Sequence, residues 1–294
     1  MTRLDPGYVG RIEQLLGARP VSAVRCAGGY SRAERLRLRL TDGRSVFVKR
    51  ATTPATAEFL RRERHVYEAL GPQPFLPGYL AFDDGDDPLL VLEDLAANDW
   101  PPPWTDRRIA AVLDALAAVR HSPHPAELGR LEDDRAELAR WGAVAAEPEP
   151  FLALGLCTAA WLGTALPVLL SAEAEMDLAG DDLIHLDVRS DNLCFTADGR
   201  AILIDWNWAV VGNGDLDIAA WLPSLHAEGG PRPEEILPGN APFAAMLAGY
   251  FASVAGQPAT PDAPTVRAVQ LSQLEVALPW AARACGLREP VGRE

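Results

Sequence analysis

The sequence has 294 residues, enough for one large domain or two lobes, and 48% hydrophobic residues can supply a sizeable core. A formal net charge of −14 disfavours nucleic acid or an anionic membrane as main partner, because both select a basic surface. Cys26, Cys157, Cys194 and Cys285 show no metal spacing, no stretch matches a membrane span, and the first residues lack signal-peptide regions, so a cytoplasmic protein with reduced thiols is expected.

Asp5-Pro6 reads as a helix start, with the helix running to about Leu16. Residues 21–27 are strand-like, and Gly28-Gly29-Tyr30-Ser31 follows as a turn. Residues 36–40 alternate with period two, 41–44 form a hairpin turn, and 45–49 make a third strand ending at Lys49. A glycine turn lets backbone N–H groups approach phosphates. Gly28-Gly29 alone is a weak signal, but Lys49 on the third strand strengthens it. Of 27 basic side chains, Lys49 is the single lysine. A site that needs a compact ammonium on a slim stem would resist replacement by arginine; chance survival is the plain alternative.

Residues 54–70 predict a helix whose apolar face holds Phe59, Val66, Tyr67 and Leu70, with Glu63 inside that stripe. A buried glutamate needs a cation, and Lys49 is one candidate; a neighbouring arginine is the other. Residues 80–82 and 89–92 complete five antiparallel strands. Glu93-Asp94-Leu95 then reads either as a hinge offering backbone groups to a nucleotide base or as a solvated linker. Beyond Pro101-Pro102-Pro103 the pattern becomes helical: 105–120, 127–141, and 158–178 with a kink at Pro167.

The stretch from Leu183 to Trp208 carries the chemistry. It holds His185-x-Asp187-x-x-x-x-Asn192, then two short apolar runs around Gly199, then Asp205-Trp206-Asn207-Trp208. A hairpin formed by those runs brings Asn192 towards Asp205. Phosphoryl transfer needs one carboxylate to accept or orient the proton of an attacking hydroxyl, and an amide plus a second carboxylate to hold Mg²⁺. Asp187 is the candidate base, and Asn192 and Asp205 the candidate metal ligands. Arg189 would either neutralise charge on the transferred group or pair with Asp191. Asp217 would hydrogen-bond the catalytic loop or cap its own helix. Residues 224–231 read as a polar loop, where His226 and Glu228 face an acceptor or simply make a turn. Trp206, on a strand face with Ile202 and Ile204, reads as core. Residues 242–255 and 265–287 are helical, with Pro279 interrupting the second, and 256–264 is a loop.

Gly28-Gly29, Lys49, Glu63, the His185–Asn192 octet, Ile204-Asp205-Trp206 and Asp217-Ile-Ala together resemble the aminoglycoside phosphotransferase and choline kinase group. The resemblance runs from about Val21 to Leu287. It implies an α+β, bilobal protein-kinase-like fold: a small antiparallel-sheet lobe with one helix over 1–94, and a larger, mainly helical lobe over 95–294. It implies ATP or GTP as donor, Mg²⁺, and a hydroxyl of a small molecule as acceptor, with no nucleic acid and no membrane as partner. Gly28, Gly29, Ser31, Lys49, Glu63, Glu93 and Leu95 would bind nucleotide, Asp187 and Arg189 would be catalytic, and Asn192 and Asp205 would hold metal. Leu186 departs from the glycine usual in aminoglycoside kinases, and Asn207 from a frequent acidic residue. Asp181, Asp182 and Glu228 would suit an amine-bearing acceptor, such as an aminoglycoside or amino alcohol, and Trp206 or Trp208 could stack on a cation. Each of these also has an ordinary structural reading. A nucleotide-binding sensor or scaffold, and a protein kinase, are the alternatives.

Overall fold

The structure, a computed structural model, describes residues 5–26, 28–29, 31–260 and 263–292. Ala27, Tyr30 and the middle of the 256–264 loop lie outside the described residues. The Asp5 carboxylate accepts from Gly7 and Tyr8 N–H and opens α1 (Pro6–Leu16). Strands β1 (Pro20–Arg25), β2 (Glu34–Leu40) and β3 (Ser45–Arg50) follow, then α2 (Pro54–Leu70), β4 (Tyr79–Asp83) and β5 (Leu89–Glu93). The strands form one antiparallel sheet in the order β1-β2-β3-β5-β4.

Successive side chains of a strand point to opposite faces, and this assigns Lys49 its place. Val46 and Val48 of β3 join Leu36, Leu38, Leu89 and Val91 in a cluster against Tyr8 and Ile12 of α1. Phe47, Leu90 and Leu92 belong to the opposite face, whose cluster includes Leu60, Val66 and Tyr67 of α2 and continues into the helical half. Lys49 shares the parity of Phe47 and therefore points at α2.

The remainder runs through α3 (Asp106–Arg120), a 3-10 turn (Leu131–Asp134), α4 (Arg135–Leu138), α5 (Trp141–Ala146), α6 (Glu149–Ala153) and α7 (Ala159–Ala174). Two short antiparallel pairs follow, β6 (Asp182–Ile184) with β9 (Val210–Gly212) and β7 (Leu193–Phe195) with β8 (Ala201–Leu203). Helices α8 (Asp215–Ala227), α9 (Pro233–Ile236), α10 (Ala241–Ala255) and α11 (Val266–Ala284) close the fold. Among the described residues no helix is long and apolar enough to cross a membrane.

Four expectations are corrected. Residues 127–141 are not one helix. Gly129 O accepts from Val211 N, which draws this stretch onto β9, and the Glu173 carboxylate takes Arg140 N at 2.8 Å and Trp141 N at 3.3 Å, starting α5 afresh. The helix expected to reach residue 178 ends at Ala174. Residues 224–227 are the last turn of α8 rather than loop, and Pro279 does not interrupt α11. An internal proline removes one hydrogen bond and costs about 3 kcal/mol. At both sites the apolar neighbours are buried: Leu222 and Leu225 around Pro223, and Leu278 and Trp280 around Pro279. That packing holds the helices continuous.

Candidate active site

The Lys49 side chain is 4% exposed and sits between two carboxylates. Its ammonium donates to Glu63 Oε1 and Oε2 at 3.0 and 2.8 Å and to Asp205 Oδ1 at 2.8 Å. Glu63 also accepts from the Tyr67 hydroxyl at 3.2 Å. Burial favours a neutral amine, but the charges of Asp205 and Glu63 outweigh it and raise the Lys49 pKa. Burial likewise pushes Asp205 up, and the adjacent Lys49 charge reverses that and holds it below the usual carboxylate range. The Asn207 amide fits when it donates to Asp205 Oδ1 at 2.9 Å and accepts from Trp208 Nε1 at 3.1 Å.

The octet forms the loop between β6 and β7. His185 is fully buried, its ring edge-on to Trp206 with centroids 4.5 Å apart. Its Nε2 lies 2.9 Å from Ile204 O, so Nε2 carries the hydrogen, and Nδ1 accepts from Asp187 N at 3.2 Å. Burial lowers its pKa to about 4 and keeps it neutral. His185 is thus a brace for the loop. A second brace comes from α8: Asp217 Oδ2 accepts from His185 N and Oδ1 from Leu186 N, both at 2.7 Å. Of the two roles open to Asp217, it takes the loop-bonding one. Leu186 has φ 66° and Asp205 φ 69°, the two non-glycine left-handed residues among those described. A left-handed residue after His185 explains why glycine suits that position.

Asp187 projects from this loop with a side chain 23% exposed. Its Oδ2 accepts from Asn192 Nδ2 at 2.8 Å and its Oδ1 from Arg189 at 2.6 Å. Burial raises its pKa to about 6 against the pull of Arg189. Arg189 also holds Asp191 at 3.0 Å, which is the pairing role of the two open to it. The hairpin expectation is met: Leu193 pairs with Leu203, and Ile204 N donates to Asn192 O at 2.9 Å. Trp206 is fully buried as expected, though on a 3-10 turn after β8 rather than on a strand.

A cavity of about 750 Å³ opens between sheet and helices, lined by Ser31, Lys49, Glu63, Asp187, Arg189 and Asp205 on one side and by α10 and α11 on the other. Gly28 and Gly29 have φ 98° and 74° and lie off this cavity; a Cβ on Gly29 would come within 2.4 Å of the Arg35 guanidinium. That guanidinium ties the turn by donating to Ser31 O, Ala33 O and Ser31 Oγ. Glu93 and Leu95 also lie away from it: Glu93 Oε2 accepts from Gly78 N, and Leu95 packs against Cys194 and Ile202. Asn192 is buried behind Asp187.

The acidic residues suited to an amine are engaged elsewhere. Asp181 pairs with Arg130 and Asp182 with Arg120. Glu228 accepts from Ser190 Oγ and, at 2.8 Å, from Trp104 Nε1, while His226 Nδ1 lies 3.0 Å from Gly230 O. Glu228 therefore steadies the octet loop from behind. Sequence reasoning missed the lining residues of α10 and α11, among them Tyr250 and Gln273, and the buried carboxylate Glu173. For Glu173 a signal existed, the same one that exposed Glu63: an acid inside an apolar helix.

A model of the phosphotransferase enzyme family matches residues 22–252. The chain belongs to this family. Its fold is protein-kinase-like, as similar solved structures show. Choline kinase LicA from Streptococcus pneumoniae is 15% identical, with 95% of this chain and 97% of that chain covered and a TM-score of 0.59. An aminoglycoside phosphotransferase from Alicyclobacillus acidocaldarius is 16% identical, with 97% and 98% covered and a TM-score of 0.59. A thermostable aminoglycoside phosphotransferase APH(4)-Ia variant in complex with AMP-PNP and hygromycin B is 15% identical, with 96% and 97% covered and a TM-score of 0.57. No curated protein sequence matches the chain.

Proposed function

We propose that the protein moves the γ-phosphoryl group of ATP or GTP to a hydroxyl of a small molecule. The observation that carries this reading is the convergence of Lys49, Glu63 and Asp205 in one ion cluster on the cavity that Asp187 also lines. Lys49, fixed by Glu63, would grip donor phosphates. Ser31 and the Gly28-Gly29 turn would cover them, and Glu93 and Leu95 would form the hinge towards the base. The division at residue 94 would separate a nucleotide lobe from a catalytic and acceptor lobe, in a cytoplasmic enzyme. Solved structures of the same fold hold AMP in LicA, and AMP-PNP with hygromycin B in APH(4)-Ia, which supports a nucleotide donor and a small-molecule acceptor.

The residues present fit Mg²⁺. Asn192 spends its Nδ2 on Asp187 O and Oδ2, and Asp205 meets Lys49 through Oδ1. Asn192 Oδ1 and Asp205 Oδ2 remain as hard oxygen donors. Among the described residues no three His, Cys, Asp or Glu converge as a cage. This suits an ion that completes its shell with phosphate and water. When bound, Mg²⁺ supplies charge neutralisation on the phosphates. Asp187 orients the acceptor hydroxyl and takes its proton, Asn192 holds the Asp187 carboxylate in place, and Arg189 balances local negative charge. Most of the acceleration then comes from positioning and electrostatics.

Asp187→Asn should lower kcat by about 10²–10⁴ with the melting temperature and nucleotide affinity retained. Nucleotide consumption with an active acceptor measures this, and an unchanged rate would remove Asp187 from the mechanism. A scaffold that binds nucleotide without turnover is the second reading. The full set of Lys49, Asp187, Asn192 and Asp205 speaks against it.

A further inference from the structure

The half of the cavity beyond Asp187 has its own chemistry. Val266, Val269, Gln270 and Gln273 recur at helical spacing on one face of α11, and Met246, Leu247, Tyr250 and Phe251 line the cavity from α10. Most of this wall is hydrocarbon. Its polar groups are few. Gln270 Oε1 is taken by Arg267 at 2.8 Å. Asp134 and Glu137 stand at the solvent edge, Glu137 within 3.7 Å of Arg140. The Tyr250 hydroxyl has no hydrogen-bond partner among the described residues, and burial and the nearby Asp187 charge both raise its pKa, so it remains a phenol donor.

Gln273 is the decisive residue. It is 8% exposed, lines the cavity, and its amide meets no hydrogen-bonding partner among the described residues. The amide opens onto the cavity, where water or a ligand group can meet it, whereas a leucine at that position would continue the apolar face. An amide on this otherwise apolar face offers a donor and an acceptor to a ligand group that enters the cavity. A polyamine sugar would instead need several carboxylates deep in the chamber, whereas Asp181, Asp182 and Glu228 are engaged elsewhere and Asp134 and Glu137 stand only at its solvent edge.

We propose that the acceptor is an alcohol with a large hydrocarbon skeleton and one distal polar group, the skeleton packed on the α10–α11 wall and the polar group bonded by the Gln273 amide. Trp208, 47% exposed and tilted at 51° against Phe59 with centroids 5.4 Å apart, lines the same cavity and adds aromatic surface for that skeleton. This inference rests on the phosphotransfer reading for the hydroxyl that reacts, but not for the binding of the skeleton.

The test uses two probes of this class, testosterone and 16-hydroxyhexadecanamide, each with a hydroxyl, a hydrocarbon body and one carbonyl. Binding to the full chain is measured by calorimetry with and without Mg·ATP, for wild type, Val269→Glu and Gln273→Leu. Hygromycin B and choline serve as cationic comparators. The expected result is binding of at least one probe by wild type, weakened at least tenfold by Val269→Glu and severalfold by Gln273→Leu. The thermal shift with Mg·ATP should stay the same in both variants. Gln273→Leu adds no charge and keeps the test open if Val269→Glu fails to fold. Two results would overturn the proposal: neither probe binds while Mg·ATP does, or hygromycin B or choline is phosphorylated with the higher kcat/KM. If Mg·ATP shifts nothing but the probes bind and both variants weaken them, the phosphotransfer reading falls and the apolar chamber stands.

Discussion

The two halves of the cavity handle polar groups in opposite ways. On the donor side every charge has a partner: Lys49 has Glu63 and Asp205, Asp187 has Arg189 and Asn192, and Asp217 holds two backbone N–H groups. On the acceptor side, the side chains of Tyr250 and Gln273 have no hydrogen-bonding partner among the described residues and stand on a hydrocarbon wall. A saturated network fixes one geometry, which suits a donor whose phosphates do not vary. An apolar wall with few polar groups leaves orientation to the ligand, and those groups decide which ligand is held. On the proposed function, chemistry and specificity would therefore be separable, and substitutions can tell them apart.

The largest expected change in stability comes from opening the donor-side ion cluster. Lys49→Met leaves the buried Glu63 and the adjacent Asp205 uncompensated and should cost about 3–5 kcal/mol, read by urea unfolding. The double variant Lys49→Met/Glu63→Gln should regain most of that stability and none of the nucleotide-induced shift. If the double variant is no more stable than the single one, the cluster is not what holds β3 to α2.

His185 gives the next effect, and its sign is fixed. The folded imidazole has a pKa near 4, against an ordinary value of 6.5. As pH falls through this window the unfolded chain gains a proton that the folded chain refuses. Stability is fully present above about 6.5 and drops towards 4, by a contribution on the order of 3 kcal/mol. His185→Gln should flatten this part of the profile relative to wild type. Equal slopes in the two proteins would mean that the histidine is hydrated in the fold.

Leu186→Gly is expected to do least. Relief of a left-handed leucine is worth about 1–2 kcal/mol, and added chain entropy opposes it by about 0.5–1 kcal/mol. Stability should move by no more than about 1.5 kcal/mol, and kcat should hold. A large loss would show that the leucine side chain, and not only the backbone, shapes the acceptor side.

How much of this was legible in the sequence follows the same division. Lys49 stood out as the single lysine, and Glu63 as an acid inside an apolar stripe. The octet and Asp205 declared themselves by spacing, with a hairpin to bring them together. Those signals are local. The α11 face was not legible, because Val266, Val269, Gln270 and Gln273 have the same helical spacing whether the face packs on protein or lines a cavity. Glu173 was missed because its partners, Arg140 N and Trp141 N, are more than thirty positions away and are backbone groups. The break in 127–141 escaped for the same reason, since Val211 and Glu173 impose it from a distance. Pro279 misled because a local cost was weighed without the burial on either side.

The central claim is that Lys49 and Asp205 form a metal–nucleotide site. It is tested most directly by a thermal-shift titration of wild type and Asp205→Asn with Mg·ATP and Mg·GTP. Ligand that binds only the folded state adds about 2.7 kcal/mol of stability at roughly a hundredfold excess over Kd. The expected result is a clear rise in melting temperature for wild type with at least one nucleotide and none for Asp205→Asn. Wild type unmoved by both nucleotides, or a variant shifted as much as wild type, would contradict the account.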